Sequence, residues 1–214
     1  MSKRSFSIGR RTLLVSGASA FVLSACSNII GPPEAAPLYV LKPASPAVKN
    51  GPPAHWQLTV VLPESSDSLD TTRIMLLQPG GQMDYYANAN WQDRLPFVVQ
   101  GTLVEAFEAS GRMPAVGRDT EGLKSDFLLV TDIRDFQARY DVPDTAPVAM
   151  VRIVAKVVAA RTRTIVMSID AHSEIQAGQN SVPSVVVAFN QALSAVQARI
   201  VEAVLNAPPP SPAA

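Results

Sequence analysis

The chain has 214 residues with 18 basic and 18 acidic side chains, and aromatic residues are only 6% of it, so aliphatic side chains must build its core. Its one cysteine, Cys26, excludes an intrachain disulfide and leaves a structural zinc site without a second thiolate. The first 25 residues hold four basic side chains (Lys3, Arg4, Arg10, Arg11) and no acid, so the remainder carries 14 basic against 18 acidic residues, a net charge of −4. A weakly acidic body with no lysine-rich block is a poor nucleic-acid binder, because such binding depends on neutralising phosphates. By the same composition, membrane attachment is expected to come from a lipid and not from a basic patch.

The basic leader runs into an apolar stretch from Thr12 to Leu23 and then Leu23-Ser24-Ala25-Cys26. A charged n-region, a short h-region and small residues at the cut are the order of a secretory signal. The apolar stretch is too short to span a bilayer, which takes about 20 residues as a helix. Leu-Ser-Ala-Cys resembles the lipobox of bacterial lipoproteins, in which the cysteine is acylated and becomes the first residue of the mature chain. Residues 1–25 therefore read as a lipoprotein signal peptide and Cys26 as the lipid-anchored residue. A buried cysteine after an ordinary cleavable signal is the plainer alternative. Arg10-Arg11-Thr12-Leu13-Leu14 resembles a twin-arginine export signal, and both export routes end beyond the inner membrane.

From residue 26 to 54 the composition is that of a tether, with Gly31-Pro32-Pro33, Pro37, Pro43, Pro46 and Gly51-Pro52-Pro53. Proline fixes φ and removes a backbone donor, which favours extended, solvated chain. Residues 38–41 interrupt it as a short strand suited to a sheet edge. The foldable body is expected over 55–206. Trp56 to Leu62 and Arg73 to Leu77 read as strands, and Pro79-Gly80-Gly81 as the turn of a hairpin closed by Tyr85-Tyr86. Asp93 is placed to cap a helix over about 93–110, with Pro96 in its first turn. Leu95, Val99, Leu103, Ala106 and Phe107 form its apolar stripe, widened by Val98 and Thr102. Gly101 is expected to allow close packing on the sheet, and Gly111 to end the helix.

Phe127, Leu129, Thr131 and Ile133 share one face of a strand, but Phe136, Ala138 and Tyr140 continue on the opposite parity, so a bulge is expected near Arg134-Asp135. Residues 148–159 and 164–173 make two further strands joined by Arg161-Thr162-Arg163, completing an antiparallel meander with one polar face. A second helix is expected over about 184–205, with Val186, Phe189, Leu193, Val196, Ile200 and Val204 as its seam. Its other faces are nearly uncharged, a composition that fits either alanine's helix propensity or contact with another subunit. Residues 207–214 read as a proline-rich disordered tail. The fold class is α+β, a mixed and largely antiparallel sheet carrying two main helices.

The chemistry-bearing residues do not assemble into a catalytic pattern. His55 and His172 are the two histidines, and no Gly-x-Ser-x-Gly turn, P-loop or Gly-x-Gly-x-x-Gly accompanies them. Asp170, His172 and Glu174 alternate on one face of a strand and read as a solvated face sooner than as metal ligands. Asp132, Asp135, Asp141 and Asp144 scatter over faces and loops. The expectation is a protein that is not an enzyme, with no cofactor and no metal.

Four features in order carry a resemblance: the lipobox; Tyr85-Tyr86 leading into Asn90-Trp91-Gln92-Asp93-Arg94-Leu95-Pro96; the strand Ser125-Asp126-Phe127 through Asp135-Phe136; and Ala188-Phe189-Asn190-Gln191-Ala192-Leu193. Together they resemble the ABC-type transport auxiliary lipoprotein family, the PqiC-like proteins, from about residue 38 to 205. The resemblance implies a lipid-anchored periplasmic accessory subunit of an ABC system that moves lipids or other hydrophobic compounds. It implies an MCE-domain protein as partner and, through it, a permease and an ATPase. Relatives can form homo-oligomeric rings at the outer membrane, and Ser27 after Cys26 favours outer-membrane over inner-membrane sorting. Trp91, ahead of the first helix, reads as a partner interface or, more commonly for such a residue, a core packing anchor. A lipid-binding lipoprotein that carries an acyl chain itself is the alternative function, and an apolar cavity would distinguish it.

Overall fold

The structure is a computed structural model, and it describes residues 35–45 and 51–206. The expected signal peptide with Leu23, Ser24 and Ala25, the acylated Cys26, and the tail 207–214 lie outside the described residues. In chain order these form β1 (Leu38–Tyr39), β2 (Leu58–Val60), β3 (Glu64–Ser65), β4 (Arg73–Leu77), β5 (Met83–Trp91) and α1 (Leu95–Ala109). After them come β6 (Val116–Arg118), β7 (Phe127–Arg139), β8 (Val148–Ala159), β9 (Ile165–Gln176) and α2 (Val182–Leu205).

Strand β7 organises the sheet. One of its edges pairs over its whole length with antiparallel β8, which pairs in turn with antiparallel β9. The other edge is shared by three short parallel strands: β2 beside Phe127–Leu129, β3 beside Asp132–Ile133, and β4 beside Ala138–Arg139. Beyond them, β6 joins β2, while β5 and then β1 extend from β4. The long pairings are antiparallel and the parallel ones short, which is the mixed α+β sheet expected.

The change of parity in β7 is resolved by one extra residue. Ile133 pairs with Ile153 and Asp135 with Arg152, leaving Arg134 as the bulge. Phe127, Leu129, Thr131 and Ile133 before it and Phe136 and Ala138 after it are all buried, so the bulge keeps both runs on the core face.

Two local expectations need correction. Asp93 does not cap α1: its Oδ1 accepts from the N–H of Arg94 at 2.7 Å, one residue before the helix, and the N–H of Leu95 donates instead to the Thr71 carbonyl at 3.1 Å. Strand β5 does not end at Tyr86 but continues to Trp91. Asn88 and Asn90 are weak strand formers, yet the N–H groups of Asn90 and Trp91 are held by the Pro37 and Thr72 carbonyls. Gly101 lies close to the sheet, as expected, at its β6 edge, where Nη2 of Arg118 would lie 3.2 Å from an added Cβ. Gly111, at φ +63°, follows α1 as expected.

Parts of the proline-rich stretch are bound to the domain. Residue β1 Tyr39 and its neighbour Leu38 pair with β5 at the sheet edge, and Leu41 is buried. The Lys42 N–H donates to Asn190 Oδ1 at 2.6 Å, and Ser194 Oγ donates to the Ala44 carbonyl at 2.9 Å, so this segment covers part of α2's otherwise uncharged surface. Further on, the Ala54 N–H donates to the Arg112 carbonyl at 2.7 Å. Ordered packing thus begins near residue 36, ahead of the start expected from composition.

The core lies between the sheet and the helices. The whole predicted seam of α2 is buried, and α2 packs on β8 and β9. Phe136 and Phe189 stack at 4.9 Å between ring centroids, and Trp91 meets both edge-on. A buried polar link joins the helices: Gln197 Nε2 donates to Thr102 Oγ1 at 2.8 Å.

A hydroxyl chain ties β5 to the end of β7 and the approach to α2. Tyr140 donates to Asn180 Oδ1 at 2.8 Å, so its single proton is committed and Tyr86 must donate to the Tyr140 oxygen at 3.0 Å. Burial, and then that hydrogen bond, push the Tyr86 hydroxyl far above its ordinary titration range. An acid whose folded pKa is raised contributes stability below its unfolded pKa of about 10 and loses it as pH rises beyond. Tyr86→Phe is therefore expected to cost about 1 kcal/mol at neutral pH and to flatten the loss of stability above about pH 10. Urea unfolding at neutral and alkaline pH measures both; an unchanged alkaline slope would remove Tyr86 as its cause.

Candidate functional site

The helices cover one face of the meander and leave the other open. On that open face Arg152 makes two hydrogen bonds to Asp170, at 2.6 and 3.0 Å, and Arg139 reaches Glu174 at 3.1 Å and Asp141 at 2.9 Å. The Arg152 contact holds the Asp170 carboxyl below the usual carboxylate range, and both side chains are half exposed, so the pair orders the face more than it stabilises the fold. A surface groove of about 370 Å³ lies among Asp135, Met150, Arg152, Asp170, His172 and Glu174.

The alternation that suggested a solvated face thus has a physical content. Asp170 and Glu174, which flank His172, are each engaged by an arginine, Asp170 by Arg152 of the adjacent β8 and Glu174 by Arg139 of β7 on the far side of β8. Among the described residues, no three His, Cys, Asp or Glu side chains converge as metal ligands. Asp132 pairs with Arg134 at 2.8 Å, and Asp135 accepts from Gln137 Nε2 at 3.0 Å. The arginine partners were not singled out from the sequence. Their signal was the opposite charges on one face of consecutive strands, but the register that pairs Arg152 with His172, and so sets it diagonally to Asp170, comes from the fold.

A second groove, of about 650 Å³, follows α1 between the segment Val40–Pro43 and the helix. Phe97 and Val40 stand on it at 42% and 41% exposure, and Arg118 and Glu105 give it a polar side. A third, about 520 Å³, runs along α2 beside Val187, Asn190, Ser194 and Ala198.

Trp91 belongs to none of these surfaces. It is 2% exposed and packs against Phe136 and Phe189 at 5.9 and 5.5 Å. Of its two readings the interface is corrected, because a side chain without surface cannot meet a partner; it is a packing residue. Cys26 and its lipobox are outside the described residues.

The space between α2 and the sheet is filled by large side chains, and what the domain offers outward is faces and grooves. That defines the class, an α+β domain whose described residues bring no three His, Cys, Asp or Glu side chains together as metal ligands. The chain belongs to the ABC-type transport auxiliary lipoprotein component family, whose model matches residues 39–201. It is an auxiliary lipoprotein of ABC-type transport, a class associated with the bacterial envelope and not a known enzyme family.

Two solved structures are similar. A Xanthomonas campestris protein shares 27% identity at a TM-score of 0.74, over 79% of this chain and 95% of that one. An uncharacterised protein shares 16% identity at a TM-score of 0.63, over 80% of this chain and 99% of that one, a likeness of fold alone. No curated protein sequence matches the chain.

Proposed function

We propose that this protein is a docking subunit, anchored through acylated Cys26 on the periplasmic side of a Gram-negative envelope. In this reading it serves an MCE-type ABC system that moves lipids or other hydrophobic compounds. The family match over residues 39–201 carries the reading. An ATPase and a permease belong to other chains, and the MCE-domain protein is the direct partner. The inner leaflet of the outer membrane is favoured, since Ser27 and not aspartate follows the anchor, and assembly as a homo-oligomeric ring fits the role.

The filled core supports docking over carriage of an acyl chain. A carried chain would lie between helix and sheet, where Leu193, Phe189, Phe136 and Ile153 are at most 1% exposed. An apolar ligand of this kind needs a cavity of several hundred Å³. The grooves described above lie instead at the surface and carry polar side chains.

The test is co-purification of the anchored protein with the MCE-domain protein of its own cell from detergent-solubilised membranes, both expressed at native level. Recovery of the pair is expected. Repeated recovery of either without the other would end the docking proposal and leave the family assignment standing.

A further inference from the structure

The open face of the meander is not uniform along its strands. Towards the β8–β9 turn the ion pairs give way to aliphatic residues and cations. Leu128, Val158 and Ile165 form one cross-strand row, and the next row is Val130, Lys156 and Ser168. A register irregularity between Val157 and Val158 leaves Val166 without a ladder partner, and Ile165 and Val166 are 55% and 40% exposed. At the turn itself Arg161, Thr162 and Arg163 are all exposed.

Arg163 has φ +59°, an uncommon conformation for a side chain of its size, and its N–H donates to the Ala159 carbonyl at 2.9 Å. The turn is thereby fixed with both guanidiniums at its end. Among the described residues neither of these arginines, nor Lys156, enters an ion pair, as is also true of Arg73, Arg118 and Arg199, while on the other half of this face Arg134, Arg139 and Arg152 all do. The adjoining acid, Asp126, already accepts the Gln57 N–H on Oδ2 at 2.9 Å. In a body of net charge −4, this end of the sheet is a local exception.

We infer that the β8–β9 hairpin end binds an anionic lipid surface. Arg161 and Arg163 supply the charge that meets headgroup phosphates, with Lys156 behind them, and Ile165 and Val166 enter the interfacial layer. The inference rests on the acylated Cys26 reading, which brings a bilayer within reach. Ten residue steps lead from Cys26 to Ala36, a span of at most about 35 Å when extended. A bilayer is favoured over an acidic protein because the cations stand on an exposed turn with solvent-facing aliphatic side chains immediately behind them.

The experiment uses the mature full-length chain with Cys26→Ser, so that no acyl group dominates. Vesicles of phosphatidylglycerol and phosphatidylcholine are compared with vesicles of phosphatidylcholine alone by co-sedimentation. Binding is expected only to the anionic vesicles, weakening as salt rises from about 0.05 to about 0.5 M. Each cation near the surface is worth about five-fold, so Arg161→Gln with Arg163→Asn should weaken binding about twenty-five-fold. Circular dichroism checks the fold, and Lys156→Gln, away from the turn, gives a second arm of about five-fold.

Equal binding to both vesicle types, or unchanged binding by folded variants, would overturn the inference. So would binding of the turn to polyglutamate without binding to anionic vesicles, since that would assign it to an acidic protein. The anchor is judged separately, by whether the wild-type protein is acylated in cells.

Discussion

Phe189→Ala is expected to lower the unfolding free energy by about 3–5 kcal/mol. Phe189 has no exposed surface, lies parallel to Phe136 with 4° between ring planes, and meets Trp91 edge-on. Truncation removes the transfer energy of a phenyl ring and leaves a hole between α2 and β7. The neighbours cannot collapse into it, because Phe136 is fixed by the β7 ladder and Trp91 by its N–H bond to Thr72. With about 2–4 °C per kcal/mol for a domain of this size, the melting temperature should fall by about 6–20 °C. Phe189→Leu, which keeps most of the volume, should lose about 1 kcal/mol. Chemical denaturation of the three proteins decides it. A loss below about 1.5 kcal/mol for the alanine variant would mean that the aromatic cluster is not the keystone described.

Cys26→Ser is expected to move the protein from the membrane pellet to the soluble periplasmic fraction. Each buried methylene of the proposed acyl group is worth about 0.8 kcal/mol, and because a single myristoyl chain gives only marginal binding, stable anchorage takes more than one chain. The hairpin end cannot replace that anchorage: two or three surface cations supply about 1 kcal/mol each and are screened by salt. Cell fractionation at physiological and high salt separates the two contributions, and mass spectrometry of the wild-type N-terminus reports the modification directly. An unacylated thiol on exported wild-type protein, or a serine variant that still pellets at high salt, would defeat the anchor.

Much of the helical core was legible because amphipathic periodicity is a local property. The seams of α1 and α2 are buried residue for residue where a 3.6-residue period placed them. The bulge at Arg134 was legible for a similar reason, since a parity change inside one strand has few other solutions. The parallel pairings of β2, β3 and β4 were not, because two or three residues contain no information about which distant edge they join. The end of β5 was misplaced for the same cause: Asn88 and Asn90 oppose strand formation locally, and the hydrogen bonds that hold Asn90 and Trp91 come from residues far away in the chain.

Of the surfaces, the polar face of β9 could be read from alternation, but its division into an ion-paired half and a cationic, aliphatic end could not. That division depends on which residues of β7 and β8 stand opposite, and register is a tertiary quantity. The amino-acid sequence by itself determined the family, the two helical seams and the meander. Only the tertiary structure decided that Trp91 is core, that the proline-rich segment is partly strapped to α2, and that Arg161 and Arg163 meet no acid among the described residues. Periodicity along a chain specifies which side chains leave water; it does not specify which other side chains they meet when they do.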